Sequence, residues 1–202
     1  MGTHTTWVDL IRHGEPVGGK KYRGQTDDPL SEAGWRQMWA AVDGERPWHA
    51  VVSSPLSRCA DFARALADEQ QVALTHDERL MEIGFGAWEG RTADELHAED
   101  ADQLPRFYDD PIAHAPPGAE PLPRFGERVV AAWDDLATRH RNRHVLVVCH
   151  SGVIRMVVRH ILQAPLESMF RLQVPYAGRV RIRVDGDDQA HRASLMIHDP
   201  RT

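Results

Sequence analysis

Residues 144–162 read HVLVVCHSGVIRMVVRHIL. An unbroken apolar run ends at His150 and passes without a linker into SGVIRMVVRHIL, a segment that Ser151 is placed to cap as a helix. A strand with no polar alternation is buried on both faces, so its neighbours in a sheet are expected to run parallel to it and to be covered by helices. Two more segments have the same character, WVDLIR (7–12) and HAVVSS (49–54). Segments of helical period separate them. SEAGWRQMWAAV (31–42) brings Trp35, Met38, Trp39 and Val42 to one side, and a helix over about 124–139 turns Phe125, Val129, Ala132 and Trp133 inward. The segment SPLSRCADFARALADEQ predicts a helix with Ser54 as N-cap and Pro55 at its first position.

Outward from these, VALTHDERLMEIGFGAWEG (72–90) reads as a short strand followed by an extended stretch broken by glycines. Residues 92–122 combine one short helical piece with the proline-rich DDPIAHAPPGAEPLP, a loop expected to cover something. GRVRIRV, the turn DGDD and ASLMIH predict a hairpin at a sheet edge. Alternating strands and helices of this kind make a layered α/β fold, and 202 residues suit a single domain over 1–202.

The formal net charge of −6 argues against general affinity for nucleic acid or an anionic membrane, so any bound anion must be held by local charge. The start, MGTHTTWVDLIRHGEP, lacks the pattern of a signal peptide, and no apolar run is long enough to span a bilayer. Only Cys59 and Cys149 occur, each in an apolar stretch and without metal-ligand spacing, which favours a reduced cytoplasmic protein. HRNRH sets His140 and His144 four apart, but it is basic and holds no acidic ligand, so it reads as a solvated helix end. Oligomeric state stays open, a homodimer included.

Three segments follow one rule: a buried strand ends, and polar residues appear before the next loop or helix. Ligands of open α/β sheets bind beyond the carboxyl ends of the strands, so these ends should face one site. They carry Arg12 with His13, Arg58, and His150. Two permanent cations, two imidazoles and two helix starts predict an anion pocket, with phosphate the best-fitting guest. A neutral imidazole attacks phosphorus through one nitrogen if the other keeps its proton, and the tight turn expected at Gly14 offers His13 a carbonyl for that purpose. Glu82, between apolar neighbours in RLMEIGFG, is a candidate proton donor to the leaving alkoxide, and Glu15 competes for the role.

As a set, LIRHGEP (10–16), SSPLSRCADFA, LMEIGFGAWEG and VVCHSGVIR resemble, in order, the four signature segments of the histidine phosphatase superfamily, also called phosphoglycerate mutase-like. The resemblance implies a three-layer α/β/α sandwich with a mostly parallel sheet. It implies phosphorylation of His13, a phosphoryl group held by Arg12, Arg58 and His150, and Glu82 as acid and later as base. It implies no metal and no cofactor, and a small phosphorylated substrate as the partner. YRGQTDDPLSEAG (22–34) and FGAWEG (85–90) are most similar to the small bacterial phosphatases, α-ribazole phosphatase and its broad-specificity relatives among them. Phosphoglycerate mutase-type transfer is the alternative. Relatives often carry Asn six places after the nucleophilic histidine, where this chain has Gly19, and often Gly where it has Ser151. By resemblance, Gln25 or Thr26 reaches the same oxygens, and Ser151 lines the phosphate. Arg23, Arg106 and Tyr108 are expected to shape the alcohol side.

Two other classes meet obstacles. GEPVGGKK (14–21) is nearly a phosphate-binding P-loop, but Lys21 stands where Ser or Thr must hold magnesium, and YRGQTDDP cannot open a helix. A non-catalytic binder of phosphorylated ligands has no need of an attacking imidazole and a proton donor together.

Overall fold

The computed structural model describes residues 4–186 and 191–196. Its six strands are β1 (His4–Arg12), β2 (Ala50–Ser53), β3 (Ala73–His76), β4 (His144–Cys149), β5 (Arg179–Gly186) and β6 (His191–Met196), in the order β3-β2-β4-β1-β5-β6. β3, β2, β4 and β1 run parallel, and the hairpin β5–β6 adds two antiparallel strands at one edge. Of the turn predicted there, Asp185 and Gly186 close β5, while the next two residues lie outside the described range.

The apolar run of β4 is explained by what lies on each side. Val145, Val147 and Cys149 pack with Phe125, Val129 and Trp133 of α5 (Leu122–Arg139) and Ile154 and Val157 of α6 (Ser151–Ile161). Leu146 and Val148 point the other way, to Met38 of α1 (Glu32–Ala41) and Phe62 and Leu66 of α2 (Ser57–Gln70). Alternate residues therefore serve two separate cores, and the fold is a three-layer α/β/α sandwich with a mostly parallel sheet.

Register fixes the chemistry. Arg12 of β1 pairs with Cys149 of β4, so His13 and His150 leave the sheet side by side, and the His13 N–H donates to the Cys149 carbonyl at 3.0 Å. Ser53 of β2 pairs with Val148, and the Ser54 N–H donates to the Val148 carbonyl at 3.0 Å. Three strand ends thus meet at one edge, as expected of parallel neighbours.

Helix starts depart from the local reading. α2 begins at Ser57 with Leu56 as its cap residue, not at Pro55 after Ser54. Its first donors, the Ser57 N–H and hydroxyl, go to Asp27 Oδ1 at 2.7 and 2.8 Å. α6 begins at Ser151 itself, with His150 as the uncapped preceding residue. Residues 92–122 hold two short helices, α3 (Ala93–Glu99), closed by a Thr92–Glu95 capping box, and α4 (Gln103–Asp109). Leu96 and Phe107 join Trp88 in a third small core with Tyr22, Phe85 and Phe170 against it. The near-P-loop is followed by a bridge between Tyr22 and Arg91, and no helix starts before α1. His140 caps the end of α5 and His144 opens β4, so the pair does not share a helix. No helix of the described residues is long and apolar enough to cross a membrane.

Asp9 of β1 is fully buried, yet it accepts from Trp48 Nε1 at 2.8 Å and from Arg181 Nε and Nη2 at 2.7 and 2.9 Å, with His144 Nε2 at 3.0 Å. Burial alone raises its pKa, but the bonds from His144 and Arg181 overcome that and hold it well below the usual carboxylate range. A depressed folded value means that the stabilisation is present above the unfolded pKa of about 3.9 and is lost as pH falls below it. Asp9→Asn is expected to cost roughly 2 kcal/mol near pH 6. The gap to wild type should narrow at pH 3 in urea titrations. A gap independent of pH contradicts the account.

Candidate active site

His13 sits one residue beyond β1, and its Nδ1 lies 2.7 Å from the Gly14 carbonyl oxygen. A carbonyl can only accept, so Nδ1 carries the proton and the Nε2 lone pair is free to attack. The His150 ring stands edge-on at 5.2 Å between centroids, with its Nε2 2.8 Å from the Ser54 hydroxyl. Burial, reinforced by the charges of Arg58 and Arg12, drives both imidazoles well below their ordinary pKa, so both are neutral at pH 7.

The two guanidiniums are tied to main chain. Arg58, 1% exposed, donates to the Thr26 and Gly24 carbonyls at 2.8 and 2.7 Å, and Arg12 donates to the Val174 carbonyl at 2.7 Å beneath the Tyr176 ring at 4.2 Å. Neither has a carboxylate partner among the described residues, and the buried Nε–H of each has no partner. Unmatched buried donors on two permanent cations, beside two neutral imidazoles, form a site for an anion with several acceptor oxygens.

Glu82 is buried at the same place. Its Oε2 accepts from the Gly152 N–H at 3.1 Å and the Ser151 hydroxyl at 3.3 Å, and its Oε1 accepts from the Ile83 N–H at 3.1 Å. A Cβ on Gly152 would stand 2.2 Å from Oε1, so only glycine lets the carboxylate lie on the start of α6. The loop that carries it is clasped by Arg128, which donates to the carbonyls of Arg79, Met81 and Glu82 and pairs through two nitrogens with Glu120. Of the two candidate acids, Glu82 is the one bonded to the helix that follows His150. Glu15 contributes its carbonyl, which accepts from the Ser31 N–H and hydroxyl.

Several expected roles change. One donor of each helix start is already taken, the Ser57 N–H of α2 by Asp27 and the Gly152 N–H of α6 by Glu82. Gly14 is not in a left-handed turn; it is glycine because a Cβ there would stand 2.3 Å from the Gly34 carbonyl oxygen. Arg23 is buried, bonded to Asp28 at 2.9 Å and to the Val17 and Gly19 carbonyls, and its charge acts on His13. Arg106 pairs with Asp100 on the surface, and the Tyr108 hydroxyl meets that of Tyr22 at 2.7 Å. The Thr26 hydroxyl donates to Glu89, and Gln25 Nε2 lies 3.4 Å from the Glu82 carbonyl. Gly19 has φ +74° and open space around it. The contact of Ser54 with His150, and the parts played by Glu89, Arg128, Glu120 and Tyr176, escaped the sequence reading. Ser54 and Glu89 lie within its motifs, but nothing local marks the other three.

The family model of the histidine phosphatase superfamily (branch 1) matches residues 8–194. The chain belongs to this superfamily. Bifunctional protein Rv2228c of Mycobacterium tuberculosis is 35% identical over 181 residues, which are 87% of this chain and 49% of that protein. The chain therefore spans about half the length of the first curated relatives it matches. Among solved members, the mycobacterial glucosyl-3-phosphoglycerate phosphatase Rv2419c with VO3 superposes with a TM-score of 0.84 at 26% identity, covering 96% of this chain and 98% of the other. The α-ribazole phosphatase of Shigella flexneri gives 0.77 at 26% identity, covering 96% of each chain.

Proposed function

We propose that this member of the histidine phosphatase superfamily is a phosphatase that hydrolyses small phosphomonoesters by two displacements at His13, without a metal. The observation that carries the reading is the His13 imidazole, neutral and held through Nδ1 by Gly14, beside two guanidiniums that lack a carboxylate partner. In the first displacement His13 Nε2 bonds to phosphorus as the P–O bond to the alcohol breaks, and Glu82 donates a proton to the departing oxygen. Arg12 and Arg58 neutralise charge on the three transferring oxygens, and the neutral His150 imidazole donates a hydrogen bond to one of them. In the second, Glu82 takes a proton from water as that water's oxygen attacks phosphohistidine, releasing inorganic phosphate and restoring the imidazole. Gln25, Thr26 and Ser151 border the phosphate, and residues 92–122 cover the alcohol within one domain. Hydrolysis of small esters is the named activity of the α-ribazole and glucosyl-3-phosphoglycerate phosphatases that this chain resembles, while other relatives, 28% identical over 171 residues, are named probable phosphoglycerate mutases. Two buried free cysteines suit a reducing cytoplasm.

The test is turnover of p-nitrophenyl phosphate in excess chelator, with acid quenching and mass spectrometry of the peptide around residue 13. Steady turnover and an acid-labile phosphate on His13 are expected. Turnover that chelation stops, or that leaves phosphate on another residue, overturns the reading. Glu82→Gln should lower kcat/KM for an alkyl phosphate about a hundredfold, because an alkoxide leaves poorly without a proton. The loss should be below tenfold for p-nitrophenyl phosphate, whose leaving group is already acidic. Equal losses for both esters remove Glu82 from the acid role.

A further inference from the structure

Glu89 takes no part in the steps above, and its place is set by the pairing of two loops. The Tyr22 N–H donates to the Arg91 carbonyl at 2.9 Å and the Gly90 N–H to the Tyr22 carbonyl at 2.8 Å, so residues 22 and 90–91 lie side by side. A single helical turn, Gly86–Trp88, buries the Trp88 ring and delivers Glu89 against the loop that follows Tyr22. That loop makes a tight turn in which the Thr26 N–H donates to the Arg23 carbonyl at 2.9 Å and Gly24 is left-handed, with φ +52°. A Cβ on Gly24 would stand 2.1 Å from Glu89 Oε1, so the turn can meet the carboxylate only as glycine.

Four donors converge on that one carboxylate. Its Oε1 accepts from the Gln25 N–H at 3.2 Å and the Phe85 N–H at 2.9 Å, and its Oε2 accepts from the Thr26 N–H at 3.0 Å and the Thr26 hydroxyl at 2.8 Å. Consecutive N–H groups that converge in this way make a nest for an anion, and here the anion belongs to the chain itself. The opposite edge of the same turn faces Arg58, whose Nη2 donates to the Gly24 carbonyl at 2.7 Å and whose Nη1 donates to the Thr26 carbonyl at 2.8 Å. The Gly24 carbonyl and the Gln25 N–H are the two ends of one planar peptide unit. Glu89 and Arg58 are thus opposite charges with a rigid peptide between them, and the pull of the carboxylate on the N–H strengthens the carbonyl that holds the guanidinium. A carboxylate in direct contact would take the fork that phosphate needs. An indirect one orients the cation and leaves its buried Nε–H unmatched.

We propose that Glu89 is a positioning residue that holds Arg58 in phosphate-binding geometry through the turn 23–26. The inference rests on the phosphatase reading, which makes Arg58 a ligand of the phosphoryl group. Glu89→Gln keeps the shape of the side chain and can still accept from Gln25 and Phe85 through Oε1. Its amide nitrogen, however, sets a donor against the Thr26 N–H and hydroxyl, and the negative charge is gone.

The experiment is a double-mutant cycle of Glu89→Gln with Arg58→Met, which keeps the bulk of the buried side chain and removes the fork. It is read in kcat/KM for p-nitrophenyl phosphate and for propyl phosphate, and in the Kd of inorganic phosphate by calorimetry. Glu89→Gln alone should lower kcat/KM about thirtyfold and weaken phosphate about tenfold. Because Arg58 acts on the transferring oxygens, both esters should lose equally, unlike the expected result of Glu82→Gln. In the Arg58→Met background the same change should cost less than about twofold, since no guanidinium is left to aim. A loss as large in that background, or one confined to propyl phosphate, overturns the proposal. Should Glu89→Gln fail to fold, Glu89→Asp, which keeps the charge and shortens the reach, must show the same dependence on Arg58 at a smaller loss, and a loss independent of Arg58 overturns the proposal equally. A wild type that binds phosphate but hydrolyses neither ester sinks the phosphatase reading, and the phosphate cycle alone then decides for or against Glu89. A wild type that binds no phosphate ends both.

Discussion

Replacing His13 with alanine is expected to lower kcat for p-nitrophenyl phosphate by about 10⁴-fold or more, while the protein remains folded. The size follows from the covalent route: without the imidazole there is no phosphoenzyme, and water must attack the ester directly. The surrounding cations keep binding phosphate, so KM should change far less than kcat. A second readout separates the chemical role from a structural one. Folded His13 and His150 both refuse a proton because burial and the neighbouring arginines depress their pKa. Below about pH 6.5 the unfolded chain binds protons that the folded chain does not, so stability falls as pH drops through that value. His13→Ala removes one of the two groups, and its stability in urea should fall less steeply between pH 6.5 and 5. A variant with kcat within tenfold of wild type ends the covalent mechanism. An unchanged pH slope contradicts the neutral, buried state of His13.

What the sequence discloses here, and what it conceals, divides by the range of the forces involved. The strands are legible because β4 and its neighbours are buried on both faces, which leaves an unbroken apolar run in the chain. Arg12, His13, Arg58 and His150 are legible because strand ends in a parallel sheet must share an edge, a rule that needs no knowledge of side-chain contacts. The helix starts are misread for the opposite reason. Ser54 and Ser151 have the local form of caps, but the Ser54 hydroxyl is drawn to His150 and the Ser151 hydroxyl to Glu82, while Asp27, thirty residues upstream, supplies the cap of α2. Arg23 looks like a substrate ligand, but Asp28 and two carbonyls, which its motif does not reveal, take the donors of its Nε and Nη2. Arg128, Glu120 and Tyr176 carry no motif at all. They hold the site from elements far away in sequence, and only the assembled fold brings them there.

Gly34→Ala is expected to destabilise the protein by roughly 3 kcal/mol, although alanine is ordinarily better than glycine in a helix by about 1 kcal/mol. The reversal comes from the packing of α1 on the strand end that bears the nucleophile. A Cβ on Gly34 would stand 2.1 Å from the Glu15 carbonyl oxygen and 2.9 Å from its nitrogen, both main-chain atoms. Neither can rotate away, and the same oxygen accepts from the Ser31 N–H and hydroxyl at 2.9 Å, so moving it breaks the cap of α1. Gly14 makes the reciprocal approach to the Gly34 carbonyl, and the Gly14 carbonyl is the acceptor that orients His13. The strain therefore reaches the imidazole through a single peptide unit. A misplacement on the order of 1 Å can cost about a hundredfold in rate, and kcat of the folded variant should fall by that order. Ala33→Gly, one position earlier, should cost only the ordinary 1 kcal/mol or so and leave kcat near wild type. A Gly34→Ala protein as stable as wild type in urea would mean that α1 can slide away from β1 freely, and the close approach of the two glycines would then not be what aims His13.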